Sequence, residues 1–459
     1  MTDHNLPQDK LVPLQQTERI ILLDSLRGIA VLGILLMNIP GFSLPRAIIS
    51  DISVLGEWSG KNFYAWYIIE TFVEGSQRAI FSMLFGAGTF IFISRLQKRT
   101  EGTMPAEYFI RRQLWLLLFG LLNAYMLLWY WDILFHYAIF GIILFIFWRQ
   151  KPKTLYVAAF ICLVFSVARE NVDLYRSKNE ISRGEIAARQ DTIKTPLTSF
   201  QKDDLKAMEE RKDRATLSSK TKRMEKNLEA VRGDIHSLYK FQSEVSYQSQ
   251  TAGTYYFLLW DVLLFMFLGL AFFKAGILTG ESPIKTYLIL FVIGMGVGLP
   301  LSYMDTQPVL AYQFNQFEII KNSSIKFYEV ARLFRSLGIF GLILLLYKSG
   351  LFKWLFDLMR PVGQMAFTNY LMQSFMCGLF FYGIGFGMFG RLQRFEMYYV
   401  VAAVWIIEII WSHIWLRYFR FGPLEWLWRC LTYWKLQPLR KTDTGVRTAQ
   451  PQASPSVTS

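Results

Sequence analysis

The chain has 459 residues, 53% of them hydrophobic, with 39 Phe, 23 Tyr and 14 Trp and a net charge of +14. Its apolar residues form repeated blocks of about twenty, the length that crosses roughly 30 Å of hydrocarbon, which excludes an ordinary soluble domain. The excess Lys and Arg lie in small groups between these blocks rather than in one patch, which argues for the positive-inside rule and against nucleic acid as a partner.

Residues 1–19 are polar, carry no signal-peptide pattern and read as a cytoplasmic segment. The first apolar block, "LLDSLRGIAVLGILLMNI" (22–39), is long enough to span, yet carries Asp24, Arg27 and Asn38. Asp24 and Arg27 are three apart and share a helix face, either as an ion pair that stabilises the bundle or as a site for a charged group. The stretch "KNFYAWYIIETFVEG" (61–75) is apolar but short, a half-span or an interfacial helix.

Hydropathy places spans near 20–41, 78–97, 110–129, 131–149, 153–169, 254–275, 285–304, 327–347, 362–384 and 397–416. The expected fold is therefore an all-α, polytopic transmembrane helix bundle of about ten spans. Five spans fall in 20–169 and five in 254–440. The basic groups Arg95 to Arg112, Arg149 to Lys153, Lys274 and Lys285, Lys348 to Arg360, and Arg417 to Lys441 then share one side, so both termini are expected in the cytoplasm. Arg391 and Arg394 dissent. Between the halves, 170–253 is rich in Lys, Glu, Arg, Ser and Gln and reads as an extracytoplasmic polar helical loop. The tail 441–459 has the composition of a disordered segment.

Trp129, Tyr130, Trp131, Trp148, Trp426, Trp428 and Trp434 cluster at span ends, where interfacial anchoring explains them. "GMGVG" (294–298) and "GIGFG" (383–387) suit close helix approach; neither follows a strand, so neither is a nucleotide loop. Cys162, Cys377 and Cys430 have no metal or disulfide spacing.

Several polar residues sit where lipid disfavours them, at about 2.5–3.5 kcal/mol per central charge, and should face the bundle interior. Glu74 and Arg78 are four apart at the entrance to the second span. Asp132 opens the fourth span with His136 one turn on, a base-and-orienter spacing that is equally that of a helix cap and an anchor. Asp261, then Glu329, Arg332 and Arg335, occupy the sixth and eighth spans. Asn369 and Gln373 share a face of the ninth, and Glu408 lies in the tenth with His413 five residues on; for the amides a polar seam between helices is the plain alternative.

"LLDSLRGIAVLGILLMNI", "FSMLFGAGTF", "WDILFHYAIFG", "GQMAFTNYLMQS" and "RFGPLEWLWRCLTYWKLQPL" resemble the YeiB-like family, bacterial membrane proteins defined by a domain of unknown function (DUF418). The last two blocks, within 363–439, are the most specific. The resemblance implies a multi-pass protein of the bacterial cytoplasmic (inner) membrane. The opening block is also similar to that of two groups of membrane acyltransferases, which move acyl groups from a cytoplasmic thioester to sugars on the far side. One group has a histidine fourteen residues after the Asp of "LDxLRG", where this chain has Asn38. The heparan-glucosaminide acetyltransferase group has Asn there too, but its working histidine precedes the second span, and 42–90 contains none.

What the resemblance implies is thus an acyltransferase with acyl-CoA as candidate donor and a sugar-like or amine acceptor. Neither group's histidine carries over, so the resemblance leaves the base unassigned; from their positions in the spans, Asp132, His136 and Glu74 are the candidate bases, and Asp24, Arg27, Asn38, Arg78, Asn369, Gln373 and Glu408 the candidate substrate contacts. The alternative is a small-solute carrier coupled to protons or ions, although no internal repeat is visible. A non-catalytic scaffold is the third reading.

Overall fold

The computed structural model describes residues 21–98, 102–193 and 196–441. The expected N-terminal segment 1–19 and the tail beyond Lys441 lie outside the described residues. Among those described, the chain is helical, with one isolated bridge pairing Phe419 and Arg440.

The first helix, α1 (Ile21–Ser43), is mostly apolar and packs inside the bundle; 67% of its apolar stretch is buried in protein. A short α2 (Gly60–Ile68) runs into a π-helical turn, Ile69–Val73, and then breaks at Glu74 and Gly75 before α3 (Ser76–Gln97). Gly75 has φ +71°, and a Cβ there would meet Arg332 and approach its Cγ to 3.1 Å. Glycine answers both the left-handed backbone and the crowding. The segment 61–75 is thus a short helical stretch set off from α3 by the break at Glu74 and Gly75.

Next come α4 (Met104–Tyr125), α5 (Leu134–Phe145) and the 41-residue α6 (Pro152–Thr192). At 1.5 Å per residue α6 is about 60 Å long, twice the hydrocarbon thickness. Its polar second half therefore extends the apolar span without interruption, and the expected boundary at 169/170 falls in mid-helix. The polar region continues as α7 (Ser199–Arg214), α8 (Leu217–Arg232) and α9 (Ile235–Gln248). Thr198, Thr216 and Asp234 cap them, each side chain accepting a backbone N–H in the first turn. A π-helical stretch, Ser249–Leu258, leads into α10 (Leu259–Lys274).

The polar helices dock on the bundle. Buried Lys220 pairs with Asp51 at 2.7 Å and donates to the Phe314 carbonyl at 2.8 Å. Gly383 N–H donates to the Val231 carbonyl at 3.1 Å, and Lys178 to that of Ser323 at 2.7 Å.

The remaining helices are α11 (Ile284–Ala311), α12 (Gln316–Asn322), α13 (Tyr328–Ser349), α14 (Lys353–Gln364), α15 (Ala366–Phe381), α16 (Met397–Tyr418) and α17 (Pro423–Tyr433). The amphipathic α14 lies against α1. A Cβ on Gly363 would run into the Asp24 carbonyl and come 2.6 Å from Gly28 N, so the two backbones touch.

Among the described residues, seven helical stretches are long and apolar enough to cross a membrane: Ile21–Ser43, Gly60–Gln97, Pro152–Thr192, Ile235–Lys274, Ile284–Ala311, Tyr328–Ser349 and Met397–Tyr418. Sequence reading expects three more. At 110–129, α4 begins earlier and carries Glu107, Arg111 and Arg112. At 131–149, α5 keeps only 12 residues, about 18 Å. At 362–384, α15 has 16 residues, about 24 Å, after a break from α14. The chain is a helical protein with the marks of a multi-pass membrane protein.

Two expectations change for physical reasons. Trp129 and Tyr130 are core residues, not interfacial anchors: Trp129 is fully buried and stacks on Phe42 at 3.8 Å. Arg394 is buried too, held 2.7 Å from Glu57 and from the carbonyls of Ile48 and Ile49. Its charge is thus neutralised inside the fold, which explains its dissent from the basic loops.

Candidate functional site

Two cavities lie at opposite ends of α1. The first, about 270 Å³, opens beside its N-terminal end and is lined by Asp24, Arg27, Arg95, Gln113, Tyr137, Tyr370, Glu425 and Arg429. The second, about 840 Å³, lies at its C-terminal end and is lined by Asn38, Arg46, Glu70, Glu74, Arg78, Asp132, His136 and Tyr137. Tyr137 borders both. A third, of about 610 Å³, shares Glu70, Glu74 and Tyr328 with the second and continues it toward Asp305 and Glu170.

In the first cavity, Arg27 Nη1 donates to Asp24 Oδ1 at 3.0 Å, the i,i+3 pair that the spacing predicts. Asp24 Oδ2 is buried without a hydrogen-bond partner. Glu425 projects from α17 onto the start of α15. It accepts from Phe367 N–H at 2.8 Å, Thr368 N–H at 3.0 Å and the Thr368 hydroxyl at 2.5 Å. A carboxylate at a helix N-terminus satisfies orphan donors and the positive end of the dipole. That is the structural use of the acidic residue in "RFGPLEWLW". Arg112 lies 3.4 Å above Trp428, whose indole N–H donates to the Arg112 carbonyl at 2.9 Å.

The second cavity gathers Asn38, Glu74, Arg78, Asp132 and His136, five residues singled out by sequence. Their pairing differs from what spacing implies. The Asp132 carboxylate does not face His136. It accepts from Asn123 Nδ2 at 2.8 Å, from the Tyr370 hydroxyl at 3.4 Å and from Phe135 N–H at 2.9 Å, the last being a helix-start contact. His136 Nδ1 contacts the main-chain carbonyl of Asp132 at 2.8 Å, and Nε2 lies 3.4 Å from the Ser249 carbonyl. With the shorter contact taken as Nδ1–H donating, Nε2 keeps its lone pair.

Glu74 and Arg78 do not pair with each other either, because the chain leaves the helix between them. Glu74 accepts from the Tyr328 hydroxyl at 2.9 Å. Arg78 pairs with Asp261 at 2.7 Å. From there a buried chain of charges runs on: Asp261 to Arg332 at 2.6 Å, Arg332 to Glu329 at 2.5 Å, Glu329 to Arg169 at 3.1 Å. Arg335 holds the π-helical turn, donating to the carbonyls of Thr71, at 2.8 Å, and Glu74.

Asn369, Gln373 and Glu408 border none of these cavities. Asn369 joins Ser412 at 3.1 Å and Trp411 at 2.8 Å; Gln373 donates to Glu408 at 2.9 Å and to the Val31 carbonyl at 3.1 Å. They form a polar seam between α15, α16 and α1.

Tyr137 is shared by the first two cavities, and its hydroxyl lies 2.6 Å from that of Ser82. Sequence reading missed Gln113, Ser82, Tyr137 and Tyr370. Only Gln113 left a signal, as an amide inside an apolar helix.

Residues 272–435 match the family described as "Protein of unknown function (DUF418)". The chain is 29% identical to the uncharacterised protein YxaH of Bacillus subtilis (strain 168), over 94% of this chain and 98% of that one. It is 28% identical to the uncharacterised protein YeiB of Escherichia coli (strain K12), over 90% and 96% respectively. The resemblance to the YeiB-like family is therefore borne out along nearly the whole chain. No solved structure matches it.

Proposed function

We propose that this relative of the uncharacterised YeiB proteins is an acyltransferase of the bacterial cytoplasmic membrane, passing an acyl group from a cytoplasmic thioester to a hydroxyl or amine acceptor on the other side. The observation that carries the reading is Tyr137, which borders both cavities and so stands where reagents entering from opposite ends of the bundle would meet. The positive-inside rule assigns the N-terminal end of α1 to the cytoplasm. The donor cavity is then the one ringed by Arg27, Arg95 and Arg429, suited to an anionic carrier such as acyl-CoA. The acceptor occupies the larger cavity with Asn38, Glu74, Asp132 and His136.

His136 is the base. Its Nδ1–H, donated to the Asp132 carbonyl, fixes the ring and leaves Nε2 to take the acceptor's proton. The acceptor oxygen or nitrogen then bonds to the thioester carbonyl carbon, the tetrahedral intermediate collapses with cleavage of the C–S bond, and the leaving thiolate takes the proton back from the imidazolium. Asp132, fixed by Asn123 and Tyr370, holds the start of α5 and so the position of His136.

The ion-pair chain from Arg78 to Arg169 favours a second reading, an ion-coupled carrier of a small polar solute. One preparation separates the two: full-length protein in proteoliposomes, supplied with acetyl-CoA outside or inside. Thiol release that depends on an added acceptor, and that His136→Gln lowers by about 10²–10⁴-fold, supports transfer. Gradient-driven solute uptake without acyl-thioester binding overturns it.

A further inference from the structure

Most of the charged side chains that border the larger cavity are committed within the protein. Arg78 pairs with Asp261 and Arg394 with Glu57, each at 2.7 Å. Glu74 accepts from the Tyr328 hydroxyl at 2.9 Å and lies 3.7 Å from Arg335. Glu70 is different. It sits on the π-helical turn Ile69–Val73, is partly exposed, and borders the second and third cavities. Among the described residues its carboxylate accepts no hydrogen bond and has no cation within 4.0 Å. Neither of its oxygens is enclosed, as Oε2 of Glu74 is, so a molecule in the cavity can touch them. Arg335 and Arg394 act on it only from farther away, and both are spent on other carboxylates and on main-chain carbonyls.

Asn38, near the end of α1, is a second uncommitted group on the same cavity. It is partly exposed, its amide makes no hydrogen bond among the described residues, and neither amide atom is enclosed. Of the other charges, Asp132 has neutral partners, and Arg46 is exposed, 5.5 Å over the ring of Tyr130. The lining therefore holds two carboxylates, Glu70 and Asp132, with no cation beside them, and a charge in that state between helices is costly. Its complement is a positive ligand that brings N–H donors. At about 840 Å³ the cavity is of small-molecule size. π-helical turns such as the one that carries Glu70 recur at functional sites.

We propose that the larger cavity binds a small organic cation, a primary amine that also carries a hydroxyl, with the ammonium on Glu70 and the hydroxyl on Asn38. This goes beyond the acyl-transfer reading, because a carrier would hold the same ligand in the same place. Where the amine is the acyl acceptor, it sheds one proton to water before the attack described above, and the second goes to His136. Glu70 is a binding residue and takes no part in bond making.

The test is equilibrium binding to the full chain purified in detergent, at about pH 7, where aliphatic amines are protonated, with no acyl donor present. The probes are two matched pairs: ethanolamine against ethylene glycol, and aminopropanediol against glycerol. Each amine should bind at least tenfold tighter than its neutral match, since hydrogen bonds to charged groups contribute about 1.5–3 kcal/mol. Glu70→Gln should bring each amine to within twofold of its match without lowering the melting temperature. Asn38→Ala should weaken both members of a pair alike and keep the preference for the amine. Failure of both amines to bind, equal binding of amine and match by the parent, or a preference that survives Glu70→Gln overturns the inference. If Glu70→Gln does not fold, ethanolamine is coupled to the unaltered protein with a carbodiimide and the peptides are weighed. Amide formation on Glu70 supports the site; an unmodified Glu70 beside modified Glu209, exposed on α7, overturns it. Amine binding without thioester turnover sinks the transfer reading and leaves this site standing, whereas transfer to a hydroxyl with no preference for amines does the reverse.

Discussion

The three glycines of "GMGVG" lie two residues apart on α11 but have opposite surroundings. A Cβ on Gly294 would come 2.5 Å from Gly338 Cα and 2.6 Å from the Phe334 carbonyl oxygen. One on Gly298 would come 2.5 Å from Arg335 N, whereas one on Gly296 meets nothing within 4 Å. Carbon atoms in contact sit about 3.5–4.0 Å apart, so alanine at 294 or 298 must push α11 and α13 apart by about 1 Å. Overpacking of this kind costs about 1–3 kcal/mol. Alanine regains about 0.5–1 kcal/mol through its helix preference. Gly294→Ala and Gly298→Ala should therefore lose up to about 2.5 kcal/mol, with Gly298→Ala the worse because it also shifts the Arg335 that holds the Thr71 carbonyl. Gly296→Ala should gain about 0.5–1 kcal/mol. Thermal unfolding of the full chain in detergent, followed by tryptophan fluorescence, reads the order directly. Equal melting temperatures for the three variants, or a Gly296→Ala that melts with Gly294→Ala, would refute the reasoning.

Arg332→Met removes the cation between Asp261 and Glu329 and leaves Asp261 to Arg78 and Glu329 to Arg169. The loss should be about 1–3 kcal/mol in the same melting assay, and an unchanged melting temperature would show that Arg78 and Arg169 suffice to hold the two carboxylates. Lys220→Met breaks the tie to Asp51 and the Phe314 carbonyl. Trypsin should then cut the Lys- and Arg-rich stretch 199–232 sooner, while the bundle's melting temperature stays put; unchanged digestion would show that other contacts hold these helices down.

Particular residues show how much of this could be read without coordinates. Asp24 and Arg27 form their pair because it is local to one helix, where spacing alone sets distance. The same rule fails for Glu74 and Arg78, since the non-helical Glu74 and the left-handed Gly75 break the helix before Arg78, and Arg78 turns to Asp261 instead. Asp132 and His136 obey the spacing, yet the contact uses the Asp132 carbonyl; the carboxylate is claimed by Asn123 and Tyr370, remote partners that no local pattern reveals. Trp129 reads as an anchor by composition and is buried because Phe42 lies across it.

Hydropathy and charge distribution by themselves determined that this is a helical chain with membrane-length apolar segments, and polar residues inside those segments marked where its interior lies. That follows from local chemistry, because transfer free energy is summed along one segment at a time. The tertiary structure decided which of the polar residues share a cavity, placing Asn38, Glu74, Arg78, Asp132 and His136 together and leaving Asn369, Gln373 and Glu408 in a seam. A cavity exists only where several helices fail to fill the space between them, and that depends on how distant segments pack, a quantity no single segment carries.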